Sequence, residues 1–253
     1  MKKAWELKTI AHIYTDFPTK FGVPRQSGLA DTKGVIVFEP EYCSMDAVRE
    51  LEQYSHLWLI WGFSECERKE WKATVRPPRL GGNKRVGVFA TRSPFRPNPL
   101  GLSSVKLEKI EHIEGKGPVL YVSGVDMMNM TPIYDIKPYL PYVDCHPEAR
   151  GGFAEEKKDY ELEVICSDEL LNIIPEEKRE TLMQVLSQNI RPSYQKDENR
   201  VYGMEFAGME IKFQVTEKQV VVREVLYEKN TDCKSVFVGI CMVHYLWICI
   251  LGR

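Results

Sequence analysis

No C-x-x-C pair occurs among the seven cysteines, at 43, 66, 145, 166, 233, 241 and 249. Zinc ribbons and fingers need paired short spacings, so a structural zinc site is not expected. Reduced thiols of a cytoplasmic protein are expected instead. Neither G-x-G-x-x-G nor a P-loop is present, which removes the usual cradles for dinucleotides and nucleoside triphosphates. His12, His56, His112 and His146 lack metal-ligand spacing, so no metal is expected. The start, Met1-Lys2-Lys3-Ala4-Trp5-Glu6, lacks an apolar core, so no secretory signal is expected. Net charge is also nearly absent: 34 Lys+Arg against 36 Asp+Glu leave −2. That balance speaks against a uniformly basic nucleic-acid coat but leaves local patches open.

What is present is ordinary for a globular chain. The 253 residues fit one large domain, or a domain with a smaller companion. Hydrophobic residues at 43% and charged residues at 28% argue against disorder. A mean hydropathy of −0.32 excludes a polytopic membrane protein. One long uncharged run exists, the 17 residues from Ser235 to Leu251. It sits at the lower length limit for a membrane span. Its β-branched and aromatic content favours an extra buried strand or helix, with a C-terminal anchor as the alternative.

Apolar runs at Leu7–Tyr14, Gly34–Phe38, Leu57–Phe63, Gly87–Ala90, Ser103–Ile110 and Val119–Val125 read as strands. The Leu57–Phe63 run is apolar throughout, which predicts a central strand buried on both faces. Ser44 predicts the cap of a helix from Met45 to about Ser55. Strands without intervening helices favour an antiparallel sheet or barrel. Gly151-Gly152 and the charged run from Glu155 to Asp159 mark a boundary. Beyond it, Tyr160–Cys166 reads as a strand and Pro175 starts a helix to about Asn189. Arg200–Phe206 and Met209–Val215 flank Ala207-Gly208, a hairpin signal, and Gln219–Tyr227 is a further strand. The expected organisation is mainly β: an antiparallel β-barrel over 1–150, a small α+β domain over 155–230, and a hydrophobic tail over 231–253.

The chemistry concentrates in one segment. From Arg68 to Lys106 ten basic residues stand against one acid, Glu70. This +9 window leaves −11 for the rest of the chain. Such a patch captures phosphates. Its prolines and glycines hold the guanidinium groups on shaped loops. Arginine suits phosphate or carboxylate because its planar fork bonds two oxygens. A second constellation is Asp126-Met127-Met128-Asn129-Met130-Thr131-Pro132 followed by Asp135-Ile136-Lys137-Pro138-Tyr139, read as polar groups around a Thr-Pro turn. A third is the bend Pro24-Arg25-Gln26.

Several blocks together resemble the TrmO/YaeB (TsaA-like) tRNA methyltransferases. They are Phe21–Gly28 (FGVPRQSG), Ser55–Trp58 (SHLW), Arg76–Gly82 (RPPRLGG), Gly87–Gly101 (GVFATRSPFRPNPLG) and Asp135–Tyr139 (DIKPY). The resemblance spans roughly residues 5–228. It implies a β-barrel enzyme using S-adenosylmethionine, working as a homodimer. The implied reaction is N6-methylation of threonylcarbamoyladenosine beside the tRNA anticodon. The resemblance places the cofactor against Pro24, Arg25, Gln26, Ser64, Glu65, Arg92, Leu102, Asp126, Met127, Met128 and Asn129. The acceptor nitrogen is urea-like, so a proton acceptor and a polarising donor are expected, with Asp135 and Lys137 the candidate pair. Arg76, Arg79, Lys84, Arg85, Arg96, Arg191 and Tyr194 are the candidate tRNA contacts. Two departures stand out. Asn129-Met130 replaces the family's common Asp-Gly, and Asn189-Ile190 replaces an Asp-Pro. They leave a second reading, a cofactor- and RNA-binding module of the same fold without turnover.

Overall fold

The computed structural model describes residues 6–66, 70–77, 84–157, 161–191, 195 and 197–227. The hydrophobic tail, Arg79 and Tyr194 lie outside the described residues. Strands β1 (Ala11–Thr15), β2 (Lys33–Phe38) and β3 (His56–Gly62) are followed by a short hairpin, β4 (Thr74–Val75) with β5 (Val86–Gly87). Then come β6 (Leu100–Ile113), β7 (Gly117–Ser123) and β8 (Thr131–Pro138). Six of these close into a barrel in the order β1-β2-β7-β6-β3-β8, every pairing antiparallel. The mainly β architecture expected from the sequence is what the chain forms.

Period-two alternation explains the barrel. On β3, Leu57, Leu59 and Trp61 point inward and are buried, as are Ile13, Ile36, Val105, Leu120, Val122 and Ile133 from the other strands. The expectation that β3 is buried on both faces is therefore corrected. One face fills the barrel, and Trp58 and Ile60 on the other are only partly covered. Trp58 meets Tyr139 at 5.6 Å between ring centroids, the planes tilted by 44°, and donates its indole N–H to Asp144 at 2.9 Å. That cover comes from the segment around the short helix α1 (Pro141–Asp144).

Three local expectations also change. The helix expected over 45–55 is two 3-10 turns, Met45–Val48 and Leu51–Gln53, because Glu50 adopts a left-handed φ of 65° and breaks the spiral. Ser44 still caps the first turn, accepting from the Asp46 N–H. The apolar run at 87–90 is a 3-10 turn from Val88 to Ala90, entered from β5. The Thr-Pro sequence at 131–132 opens strand β8 rather than a turn.

The C-terminal unit is a four-stranded sheet in the order β10 (Val201–Phe206), β11 (Met209–Val215), β12 (Gln219–Tyr227), β9 (Glu163–Ile165), with β9 parallel to β12. Ala207 (φ 51°) and Gly208 (φ 73°) make the hairpin turn that the sequence signalled. Helices α2 (Asp168–Ile173) and α3 (Glu176–Ser187) accompany the sheet. Leu182, Val185 and Leu186 of α3 recur at helical spacing and are fully buried.

This second core is not built from the C-terminal unit alone. Phe17 and Ala30, from the long β1–β2 connection, are buried in it, and Phe21 and Val23 pack against it. Phe17 meets Phe206 at 5.3 Å between ring centroids, and Phe21 stacks on Phe213 at 6.4 Å. Polar contacts fix the same connection. Lys178 pairs with Asp16 at 2.6 Å, Thr181 donates to the Asp31 carbonyl, and Gln184 accepts from the Asp31 N–H.

Candidate active site

Residues 26–28 cross the end of the barrel before the chain touches the C-terminal unit again at Leu29–Asp31. The Gly28 N–H donates to the Gly124 carbonyl at 2.9 Å, and the Gly124 N–H donates to the Thr32 carbonyl at 2.9 Å. Gly124 has a φ of 76°, which lets the chain leave β7 sharply. Two residues later Asp126 comes to lie beside Ser27, and its carboxylate accepts from the Ser27 backbone N–H.

The Asp126 carboxylate is the hub of the site. Ser103, an inward-facing residue of β6, donates its hydroxyl to Asp126 Oδ1 at 2.5 Å. Trp61 of β3 donates its indole N–H to Ser103 Oγ at 2.9 Å. Gly101 makes this relay possible. A Cβ there would lie 2.1 Å from the Trp61 ring, so only glycine lets the indole lie across β6. Arg92, just past the 88–90 turn, donates from Nη1 to Gln26 Oε1, and its charge also acts on Asp126. Burial is the largest influence on Asp126 and raises its carboxyl above the ordinary value. The Ser103 hydroxyl, the backbone N–H groups of Asp126 itself and Ser27, and the Arg92 guanidinium oppose that rise.

The structure thus brings together three expected residues, Gln26, Arg92 and Asp126. Arg25 turns away: its Nη2 donates to the carbonyls of Asn189 at 3.1 Å and Arg191 at 3.4 Å. Pro24 is buried and shapes the bend. Met127 is buried in the barrel core, and its carbonyl accepts from Thr15 Oγ1. Met128 accepts through its carbonyl from the Thr131 hydroxyl. Asn129 ties the turn to β1, its side-chain oxygen accepting from the Thr15 N–H at 3.2 Å and its own N–H donating to the Phe17 carbonyl at 2.8 Å. Ser64 and Glu65 lie on the exposed turn after β3.

Leu102 is 56% exposed on the outer face of β6, opposite Ile60, which in turn faces Asp135. Those three side chains form a row across three strands, about 10 Å from end to end. Asp135 and Lys137, on the outer face of β8, form an ion pair at 2.9 Å. Among the described residues no hydrogen bond or ion pair joins this pair to the Asp126 cluster. Of the expected tRNA contacts, Arg76 and Lys84 are exposed, and Arg85 donates to Thr74 Oγ1 at 3.3 Å. Arg96 donates to the Thr91 carbonyl at 3.2 Å, and Arg191 to the Val215 carbonyl at 3.1 Å.

Residue-level reading missed Ser27, Trp61 and Ser103. The signal for Ser103 is a small hydroxyl at an inward position of a strand whose next inward residues, Val105 and Leu107, are apolar. Chemically, the cluster offers a buried anionic acceptor beside a guanidinium and an amide. An apolar strip at Leu102 lies on the adjoining face. Such a donor set suits a zwitterionic ligand with a carboxylate, polar hydroxyls and a flat apolar part.

A closed six-stranded barrel with an appended α+β unit and a charged cluster at the barrel end define the class of fold. Residues 12–145 match the tRNA-methyltransferase O N-terminal domain, and residues 159–228 match the TrmO C-terminal domain. The chain belongs to the tRNA-methyltransferase O family. It is 37% identical to the tRNA (adenine(37)-N6)-methyltransferase of Escherichia coli, over 85% of this chain and 94% of that one. It is 44% identical to the tRNA (adenine(37)-N6)-methyltransferase of Eikenella corrodens, over 68% of this chain and 97% of that one. A crystal structure of TrmO from P. aeruginosa superposes with a TM-score of 0.73 at 30% identity, covering 90% of this chain and 99% of that one.

Proposed function

We propose that this protein is a tRNA methyltransferase that transfers a methyl group to N6 of adenine 37, beside the anticodon. The observation that carries the reading is the Asp126 cluster directly joined, through Arg92, to the basic segment. In the finer reading, the acceptor is the threonylcarbamoylated adenine and the cofactor is S-adenosylmethionine, which supplies an electrophilic methyl on its sulfonium. Arg92 would pair the cofactor carboxylate, while Asp126 and Gln26 would receive its hydroxyl or ammonium hydrogens. Leu102 would cover its adenine, and the backbone of 127–129 would lie beside it.

The chain's own residues then have two tasks. One is alignment, since displacement requires the reacting atoms about 3–3.5 Å apart in line. The Trp61–Ser103–Asp126 relay serves it by fixing the acceptor carboxylate. The other is removal of the N6 proton, assigned to Asp135, with the Lys137 ammonium held at 2.9 Å to polarise the neighbouring carbonyl. The departure at Asn129 supports turnover rather than its loss. Its side-chain oxygen holds the Thr15 N–H, a task that asparagine performs as well as aspartate.

The decisive experiment is nucleoside mass spectrometry of tRNA incubated with the protein and S-adenosylmethionine. A methylated adenine-37 nucleoside supports the reading, and its absence despite cofactor binding supports the non-catalytic module instead. Asp135→Asn is expected to lower kcat by about 10²–10⁴-fold with cofactor affinity unchanged. Undiminished methylation would remove Asp135 from its role. A homodimer in the cytoplasm is the proposed working state, checked by sedimentation and fractionation.

A further inference from the structure

Trp71 and Phe89 stack on each other at 6.2 Å with their planes 29° apart, yet they are 52% and 73% exposed. Trp71 precedes β4 and Phe89 follows β5, so the β4/β5 hairpin holds the two rings together. The Val88 N–H donates to the Ala73 carbonyl at 2.9 Å, and the Val88 side chain is buried, which turns Phe89 outward. An exposed aromatic pair is costly in water unless something covers it.

The surrounding charge identifies the cover. Lys72, Arg76, Lys84 and Arg85 lie on the same hairpin, with Glu70 the only acid in its described part. None of these four cations forms an ion pair among the described residues. Elsewhere Lys33, Lys106, Lys109, Lys137, Lys178 and Lys212 all have carboxylate partners. Exposed aromatics among unneutralised cations are the composition that binds single-stranded nucleic acid, with phosphates on the cations and bases on the rings. Phe89 is three residues from Arg92, so its Cα lies within about 11 Å of the cofactor cluster.

We propose that Trp71 and Phe89 form a stacking platform for an unpaired base of the anticodon loop, next to the acceptor adenine. The inference rests on the tRNA reading above. The platform fixes where along the loop the acceptor falls, and it binds bases without regard to their identity.

The test uses full-length protein, a dye-labelled anticodon stem-loop RNA and a fully paired RNA of equal length, followed by fluorescence anisotropy. Trp71→Ala and Phe89→Ala are each expected to weaken stem-loop binding ~5- to 150-fold. Affinity for the paired RNA, calorimetric affinity for S-adenosylmethionine and the melting temperature should stay at wild-type values, and Trp71→Phe should retain most stem-loop affinity. Equal stem-loop binding by wild type and both alanine variants overturns the platform. So does sedimentation of the wild type as a dimer and of Trp71→Ala as a monomer, which would make the pair a contact between two copies. Failure of the wild type itself to bind the stem-loop would refute the tRNA reading, a result distinct from loss in the variants alone.

Discussion

Asp126 keeps its carboxylate behind Ser103, Trp61 and the Ser27 N–H, whereas Lys72, Arg76 and Lys84 have no carboxylate partner among the described residues. The first region is organised before any ligand arrives. The second keeps its positive charge without carboxylate partners among the described residues, and in the proposed reading tRNA neutralises it. Arg92 stands where they meet. In the proposed reading the difference separates two kinds of recognition: a small ligand held by fixed geometry, and a large one gathered by field and stacking.

The strongest way to break the organised region is Gly101→Val, because a side chain there collides with the Trp61 ring. A loss of about 3 kcal/mol is expected. By calorimetry that is a fall of roughly 6–12 °C in melting temperature, together with loss of cofactor binding.

Asp126→Asn sharpens the comparison without breaking the fold. Burial raises this carboxyl, so the folded protein holds its proton more tightly than the unfolded chain. The stability it contributes is therefore present at low pH and is lost as pH rises through the raised value. The variant is expected to melt no lower than wild type at neutral pH, while titration calorimetry shows cofactor affinity falling ~10- to 150-fold. A lower melting temperature would mean that the ionised carboxylate stabilises the fold.

For the unpaired region, Arg76→Ala combined with Lys84→Ala should weaken tRNA binding and flatten its salt dependence by about one unit of slope per lost phosphate contact. Cofactor affinity should not change.

The smallest effect is expected at Met130, a half-exposed residue at φ 63°, where the family commonly has glycine. Met130→Gly should stabilise the protein by about 0.5–1 kcal/mol in denaturant unfolding, because it removes left-handed strain at little cost in packing.

The barrel was legible from alternation and from the absence of helices between strands. Strand β8 was not, since Thr131-Pro132 reads locally as a turn and only pairing with β1 and β3 makes it a strand. Residues 45–55 carry a helix-like spacing that the left-handed Glu50 overrides. For the site, Gln26, Arg92 and Asp126 came from motif resemblance. The Trp61–Ser103 relay depends on cross-strand register, with Trp61 opposite Gly101 and Leu59 opposite Ser103, which spacing along the chain does not encode.

The β1–β2 connection gives the molecule an unexpected unfolding map. Residues 16–24 and 29–31 precede most of the barrel in sequence, yet Phe17, Phe21, Val23 and Ala30 join the core of the C-terminal sheet. Cooperative units follow shared cores rather than chain order. The amides buried in this shared core are therefore expected to exchange together with those of β10–β12, which native-state hydrogen exchange would check. The residues that deliver Gln26 and Ser27 to Asp126 thus share their core with a sheet that holds none of the Asp126 cluster, and loosening that sheet is expected to release Gln26 and Ser27 while the barrel stays closed.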